Sequence, residues 1–164
     1  MQSALTEEAS REINRILKEL LEKVEGEAVF FCDRGGNIIS RQWVEACRNE
    51  ENIAALAAGS FFATLEMARL LGESKFRRLI HQGEQMNIYM EGMAGDLLLI
   101  VVFSKDSNPG LVKLYAQNAC RLLEQYNFSM DRPSDAKGGK IPEFKLEVDP
   151  NAQPFVRSPD RKPS

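Results

Sequence analysis

The sequence predicts an α+β domain of three helices and five strands, and three observations carry that reading. Apolar residues recur at spacings of three and four in three separate segments, which is the helical period. Short β-branched and aromatic runs, bounded by glycine-containing turns, lie between those segments. The order is helix, strand, strand, helix, strand, strand, strand, helix, a mixed domain with hairpin-linked strands.

The first helix is read over residues 6–25, where Ala9, Ile13, Ile16, Leu17, Leu20, Leu21 and Val24 share a side and Thr6 is placed to cap the first turn. Gly26 is expected to supply the left-handed conformation that ends a helix. Residues 28–32 form a strand, the turn Asp33-Arg34-Gly35-Gly36-Asn37 reverses the chain, and residues 38–42 return as a second strand. Residues 43–49 read as a connection without a period.

The second helix, residues 52–71, is apolar almost all round, and such a helix needs cover on more than one side. A sheet supplies one cover, and a partner chain is the natural second. Gly59 in its interior costs roughly 1 kcal/mol relative to alanine. With Ala55 and Ala63 it makes a stripe of small residues one turn apart, along which another helix can approach closely.

Gly72 ends that helix. Residues 76–81 and 87–91 read as strands around the turn His81-Gln82-Gly83-Glu84, and Gly92-Met93-Ala94-Gly95 reads as the next turn. Residues 96–104 are nearly continuously apolar, as a mid-sheet strand is. Asp106-Ser107-Asn108-Pro109 then opens a last helix to about Tyr126, with Val112, Leu114, Tyr115, Ala119, Leu122, Leu123 and Tyr126 on its packed side.

Composition divides the chain. Six of the seven prolines fall beyond residue 130, and residues 131–164 carry thirteen charges of mixed sign. Such a segment buries too little apolar surface to offset its ordering entropy. The expected organisation is a folded domain over residues 1–130 and a Pro-rich C-terminal tail, disordered, over residues 131–164. Within the tail, Phe144, Leu146 and Val148 alternate as a strand or a short docking motif does.

A formal net charge of -3 gives no bulk electrostatic reason to bind nucleic acid or an anionic membrane surface. The longest uninterrupted apolar run, residues 97–103, falls well short of the roughly 20 residues a bilayer span needs, and no basic-then-apolar secretory pattern opens the chain. A cytoplasmic protein is expected, with neither nucleic acid nor membrane as a partner. Cys32, Cys47 and Cys120 are odd in number and widely spaced, so they read as reduced thiols, Cys32 and Cys120 as small core residues.

Catalytic constellations are missing from the sequence. There is no GxxxxGK[ST] phosphate loop, no HExxH and no acidic calcium loop, and His81, the single histidine, reads as a turn or core residue. Arg69, Lys75, Arg77 and Arg78 read as a solvated edge that discourages strand-to-strand aggregation. No cofactor, metal or active site of its own is expected, and the one positive signal is a helix surface that wants a partner.

The order of elements resembles the Roadblock family, related to the dynein light chains of that name. More specifically, Leu70-Leu71-Gly72-Glu73-Ser74-Lys75-Phe76, then His81-Gln82-Gly83-Glu84, Tyr89 and Leu98-Leu99-Ile100-Val101-Val102-Phe103 resemble the bacterial MglB-like branch, partners of the Ras-like GTPase MglA. The likeness covers about residues 7–126. It implies a profilin-like three-layer α-β-α sandwich with a five-stranded antiparallel sheet in the order 2-1-5-4-3, the second helix on one face and the first and last helices on the other. It also implies a homodimer joined through third strands and paired second helices.

The resemblance further implies that the paired second helices grip the switch regions of the GTPase. That assigns partner binding to Ala55, Gly59, Phe62, Ala63 and Glu66, with Phe62 bulkier than the small residue such a surface calls for. The implied activity is that of a GTPase-activating protein in cell polarity or motility that repositions the partner's own catalytic residues and contributes no arginine finger. The alternative is a non-catalytic Roadblock scaffold that binds a GTPase or another assembly component without stimulating hydrolysis.

Overall fold

The computed structural model describes residues 6–46, 48–74 and 76–126. Cys47, Lys75 and the tail, including the Phe144 to Val148 motif, lie outside the described residues. The elements are α1 (Glu7–Lys23), β1 (Ala28–Asp33), β2 (Ile38–Trp43), α2 (Glu50–Leu71), β3 (Arg78–Gln82), β4 (Met86–Met93), β5 (Leu97–Ser104) and α3 (Pro109–Gln125).

All strand pairs are antiparallel and the sheet runs β2-β1-β5-β4-β3, with β5 at its centre. Strand side chains alternate between faces, so neighbouring residues feed two separate cores. Val29, Phe31, Tyr89, Leu99, Val101 and Phe103 pack with α1 and α3 on one face. Phe30, Cys32, Met90, Leu98 and Ile100 pack with α2 on the other. The result is the α-β-α sandwich with its helices on the expected faces. Fully buried Phe30 and Phe31, adjacent in sequence, each contribute about 1.5–3 kcal/mol of apolar burial to opposite layers.

Local signals set most boundaries. Thr6 Oγ1 accepts a hydrogen bond from the Ala9 amide, as an N-cap does. Asn108 Oδ1 accepts from the Gly110 amide and Pro109 opens α3. Gly72 ends α2 in the left-handed conformation, at φ 76°. In the β1–β2 turn, Asp33 Oδ1 accepts from the amides of Gly35 and Asn37 at 2.9 and 3.0 Å.

The structure corrects the sequence reading at several places. Glu25, not Gly26, takes the positive φ after α1, at 50°. Gly26 lies in a tight spot, where a Cβ would sit 3.1 Å from Val24 Cγ2 and 3.2 Å from Leu21 Cδ1. Gly92 and Met93 belong to β4 rather than to the following turn, with Gly92 opposite Leu98. A Cβ on Gly92 would come within 2.6 Å of the Phe61 ring, so the strand carries glycine where α2 lays an aromatic ring on it. Trp43 extends β2, and α2 begins at Glu50.

On α3 the buried side is Val112, Ala116, Ala119, Cys120 and Leu123, while Leu114, Leu122 and Tyr126 are exposed. Small residues at 116, 119 and 120 bring the helix close to the sheet and leave the larger leucines outside. Arg78 is exposed on the edge strand β3, as expected, and in addition pairs with Glu91 Oε1 at 3.3 Å. His81 is exposed on β3 and lies in neither core. Finally, α2, with 22 residues, is long and apolar enough by length and composition to cross a membrane. The uninterrupted-run test missed it because Ser60, Thr64 and Glu66 break the run.

Candidate partner-binding face

Helix α2 lies across one face of the sheet on an inner surface of Ala54, Ala57, Ala58, Phe61, Thr64 and Ala68, all buried. Four of these are alanines, so the helix backbone sits low on the strands. Two glycines of the sheet meet it. Gly36 of the β1–β2 turn, at φ 80°, lies so close that a Cβ would stand 2.5 Å from Ala55 Cα, and Gly92 receives the Phe61 ring. Thr64 Oγ1 donates to the Phe61 carbonyl at 2.6 Å. The helix is therefore fixed as a platform rather than loosely laid on.

The outward side is unlike the inner one. Ala55, Gly59, Ala63 and Glu66 are exposed, and Phe62 is half-buried on the flank. At the centre of that side Gly59 is open: its own neighbouring helical backbone apart, no described residue comes within 4 Å of the position its Cβ would take. Glu66 Oε2 accepts from Arg69 Nε at 3.0 Å in a solvent-exposed pair. Leu70, 75% exposed, continues the outward line of Gly59, Ala63 and Glu66, while Leu56, also 75% exposed, and Met67 stand along the other flank. Small residues and exposed leucines and a methionine thus form one apolar surface on the outward side of the helix.

Phe62 is held by two neighbours. Its ring meets that of Phe61 edge-on, with centroids 5.5 Å apart and planes at 88°. The Arg34 guanidinium, from the β1–β2 turn, lies over its face at 4.9 Å. Arg34 Nη1 is also 3.7 Å from Asp96 Oδ2 in the β4–β5 turn. The sequence reading placed Arg34 in a turn and residue 96 at a strand start and assigned neither to this face. Both lie far from α2 along the chain, and only the closure of the sheet brings the two turns to this helix.

Elsewhere, the arrangement offers little chemistry. An open recess along the outer edge of β2 is lined by Asn14, Ser40, Arg41, Gln42, Trp43 and Glu51. Some of its polar groups are already paired: Ser40 Oγ donates to Asn14 Oδ1 at 2.5 Å, and Arg41 pairs with Glu50. Among the described residues no group of three His, Cys, Asp or Glu side chains converges as a metal site does. Burial pushes the Cys32 thiol up to about 12, with a smaller push from Asp33, and burial likewise raises Cys120. Both thiols stay protonated and inert at neutral pH.

Comparisons with known proteins bear on the family and the fold. Residues 12–103 match the family model of the Roadblock/LC7 domain. Among solved structures, the gliding protein MglB of Thermus thermophilus is 29% identical, with a TM-score of 0.67 over 71% of this chain and 89% of that one. Myxococcus xanthus MglB is 28% identical, with a TM-score of 0.66 over 70% of this chain and 93% of that one. An MglB described as having a tetrameric arrangement is 28% identical, with a TM-score of 0.68 over 71% and 88%. No curated protein sequence is similar enough to count as a match.

Proposed function

The chain belongs to the Roadblock/LC7 family, and from that premise we propose that it is a homodimeric regulator of a small Ras-like GTPase of the MglA type, acting as a GTPase-activating protein without an active site of its own. The observation that carries this reading is the outward side of α2, where Gly59 stands open between Ala55 and Ala63. A helix-interior glycine costs roughly 1 kcal/mol. Nothing among the described residues uses the space it creates, so the space serves a partner.

The exposed leucines of α2 and the outer edge of β3, where Ile80 is exposed, suit pairing of two copies through second helices and third strands. The tetrameric arrangement described for an MglB relative supports self-association. In the dimer two strips lie side by side, and Ala55, Gly59, Phe62, Ala63 and Glu66 of each contribute to a platform for the GTPase.

Phosphoryl transfer is accelerated by charge stabilisation at the transferring group and by placement of the attacking water. A platform without catalytic groups does this indirectly: it binds the GTP-loaded conformation in which the partner's own residues are in place, and so raises that conformation's population. Control of cell polarity or motility in the cytoplasm is the proposed setting.

The test is single-turnover GTP hydrolysis by the MglA-like GTPase with and without this protein, alongside binding to its GTP- and GDP-loaded forms. Stimulation with GTP-selective binding is expected, and the double substitution Gly59→Arg with Ala63→Arg should abolish it while leaving the fold intact. Binding without stimulation would make the chain a scaffold. Undiminished stimulation by the double variant would refute the assignment of the face.

A further inference from the structure

We propose that Arg34 is a second point of contact with the GTPase, reading a carboxylate on the partner at the margin of the α2 strip, with Phe62 and Asp96 as its positioning residues; this rests on the reading of α2 as the GTPase-binding face. The two turns that carry Arg34 and Asp96 are neighbours because β1 and β5 pair, with Asp33 opposite Leu97. Gly36 presses the first of these turns onto the backbone of Ala55. Arg34 is therefore delivered beside the helix by the fold itself.

Its two contacts orient the guanidinium without consuming its donors. The contact with the Phe62 ring, 4.9 Å from the guanidinium carbon to the centroid, engages no hydrogen-bond acceptor, and the contact to Asp96 at 3.7 Å is an ion pair longer than a hydrogen bond. A guanidinium carries five N–H donors in a fixed fork suited to a carboxylate. The side chains remain open to solvent, at 51% for Arg34 and 41% for Asp96. A cation held in place before the partner arrives loses less rotamer entropy on binding than a free one.

This margin differs in kind from the opposite one. Leu56 and Met67 make an aliphatic flank, whereas Phe62 and Arg34 make an aromatic and cationic flank. The two flanks of one helix thus suit two different bodies: a second copy of the chain on the apolar side and a charged partner on the other. The chain as a whole carries a net charge of -3, so a local cation here acts on specificity and orientation rather than on bulk attraction. It also gives Phe62 a reason to be bulky, since a small residue would leave the guanidinium without a surface to lie on.

The full-length protein and the MglA-like GTPase loaded with a non-hydrolysable GTP analogue provide the test, with affinity measured at low and high salt. Arg34→Ala is expected to weaken binding on the order of tenfold and to flatten the salt dependence. Arg34→Lys should recover part of the loss, and Arg34→Glu should weaken binding further. Asp96→Asn should weaken binding in the parent but change nothing in the Arg34→Ala background, the coupling expected of a positioning residue. Ala63→Arg separates the two readings. Loss of binding in Ala63→Arg together with parental affinity in Arg34→Ala overturns this inference and leaves the face standing. Parental affinity in Ala63→Arg overturns the face and the inference together.

Discussion

Alanine at Gly36 and alanine at Gly59 should move stability in opposite directions, although the substitution is the same and the two glycines serve the same helix. Gly36 sits at φ 80°, where an L-residue is disfavoured by roughly 1–2 kcal/mol. Its Cβ would also stand 2.5 Å from Ala55 Cα, 2.8 Å from Ala55 N and 3.0 Å from Ala54 O. All three are backbone atoms, so no rotamer change relieves the overlap, and the turn and helix must separate. Overpacking of this kind costs about 1–3 kcal/mol, which brings the expected loss for Gly36→Ala to about 2–5 kcal/mol. Gly59 has no described neighbour within 4 Å and lies mid-helix, so Gly59→Ala should gain about 1 kcal/mol from helix propensity alone. Urea denaturation followed by far-ultraviolet circular dichroism, repeated over a range of protein concentrations, reads both signs. Self-association stabilises by mass action, so the gain at Gly59 should be largest at dilution and shrink where paired helices contribute. A loss below about 0.5 kcal/mol at Gly36, or a loss at Gly59 that ignores protein concentration, would refute the reasoning.

Two further outcomes are expected. Glu91 is buried and accepts from Tyr89 Oη at 2.6 Å while pairing with Arg78, so Glu91→Ala should cost about 2–4 kcal/mol, nearer the lower figure because Arg78 remains 34% exposed. Tyr89→Phe, which leaves the ion pair in place, should cost about 1 kcal/mol, and an equal or larger loss than Glu91→Ala in the same urea assay would contradict the network. Burial holds the Cys32 thiol at about 12 against an ordinary 9.0, so the folded state keeps a proton that the unfolded state releases. Its contribution is complete below pH 9.0 and is lost as pH rises toward about 12, so stability should fall across that window less steeply in Cys32→Ala than in the parent. Identical slopes for the two proteins would contradict a buried, protonated thiol.

Much of this fold was legible because its signals are local. The caps at Thr6 and Asn108, the left-handed Gly72 and the Asp33-to-Asn37 turn are each decided within a few residues, and the structure keeps all of them. The misreadings share the opposite property. Gly26 and Gly92 look like punctuation in a sequence, but Gly26 packs tightly against Val24 and Leu21 at an ordinary φ, and Gly92 makes room for the Phe61 ring. Leu114 and Leu122 fit a helical apolar stripe as well as Val112 and Leu123 do, and only the docking of α3 through its alanines shows which stripe faces inward.

The candidate site divides along the same line. That residues 52–71 make a helix with more apolar surface than one sheet can cover, its small residues falling on one stripe, follows from the order of the amino acids alone. Helical periodicity depends only on neighbours along the chain, so composition and spacing were enough. It took the packed domain to turn this stripe outward, to leave Gly59 open, and to bring Arg34 and Asp96 beside Phe62 from two separate turns. Those facts depend on which strands pair and on how closely a helix can settle on them. Strand order and helix seating are set by packing between residues distant in the chain, and no spacing within a single segment encodes them.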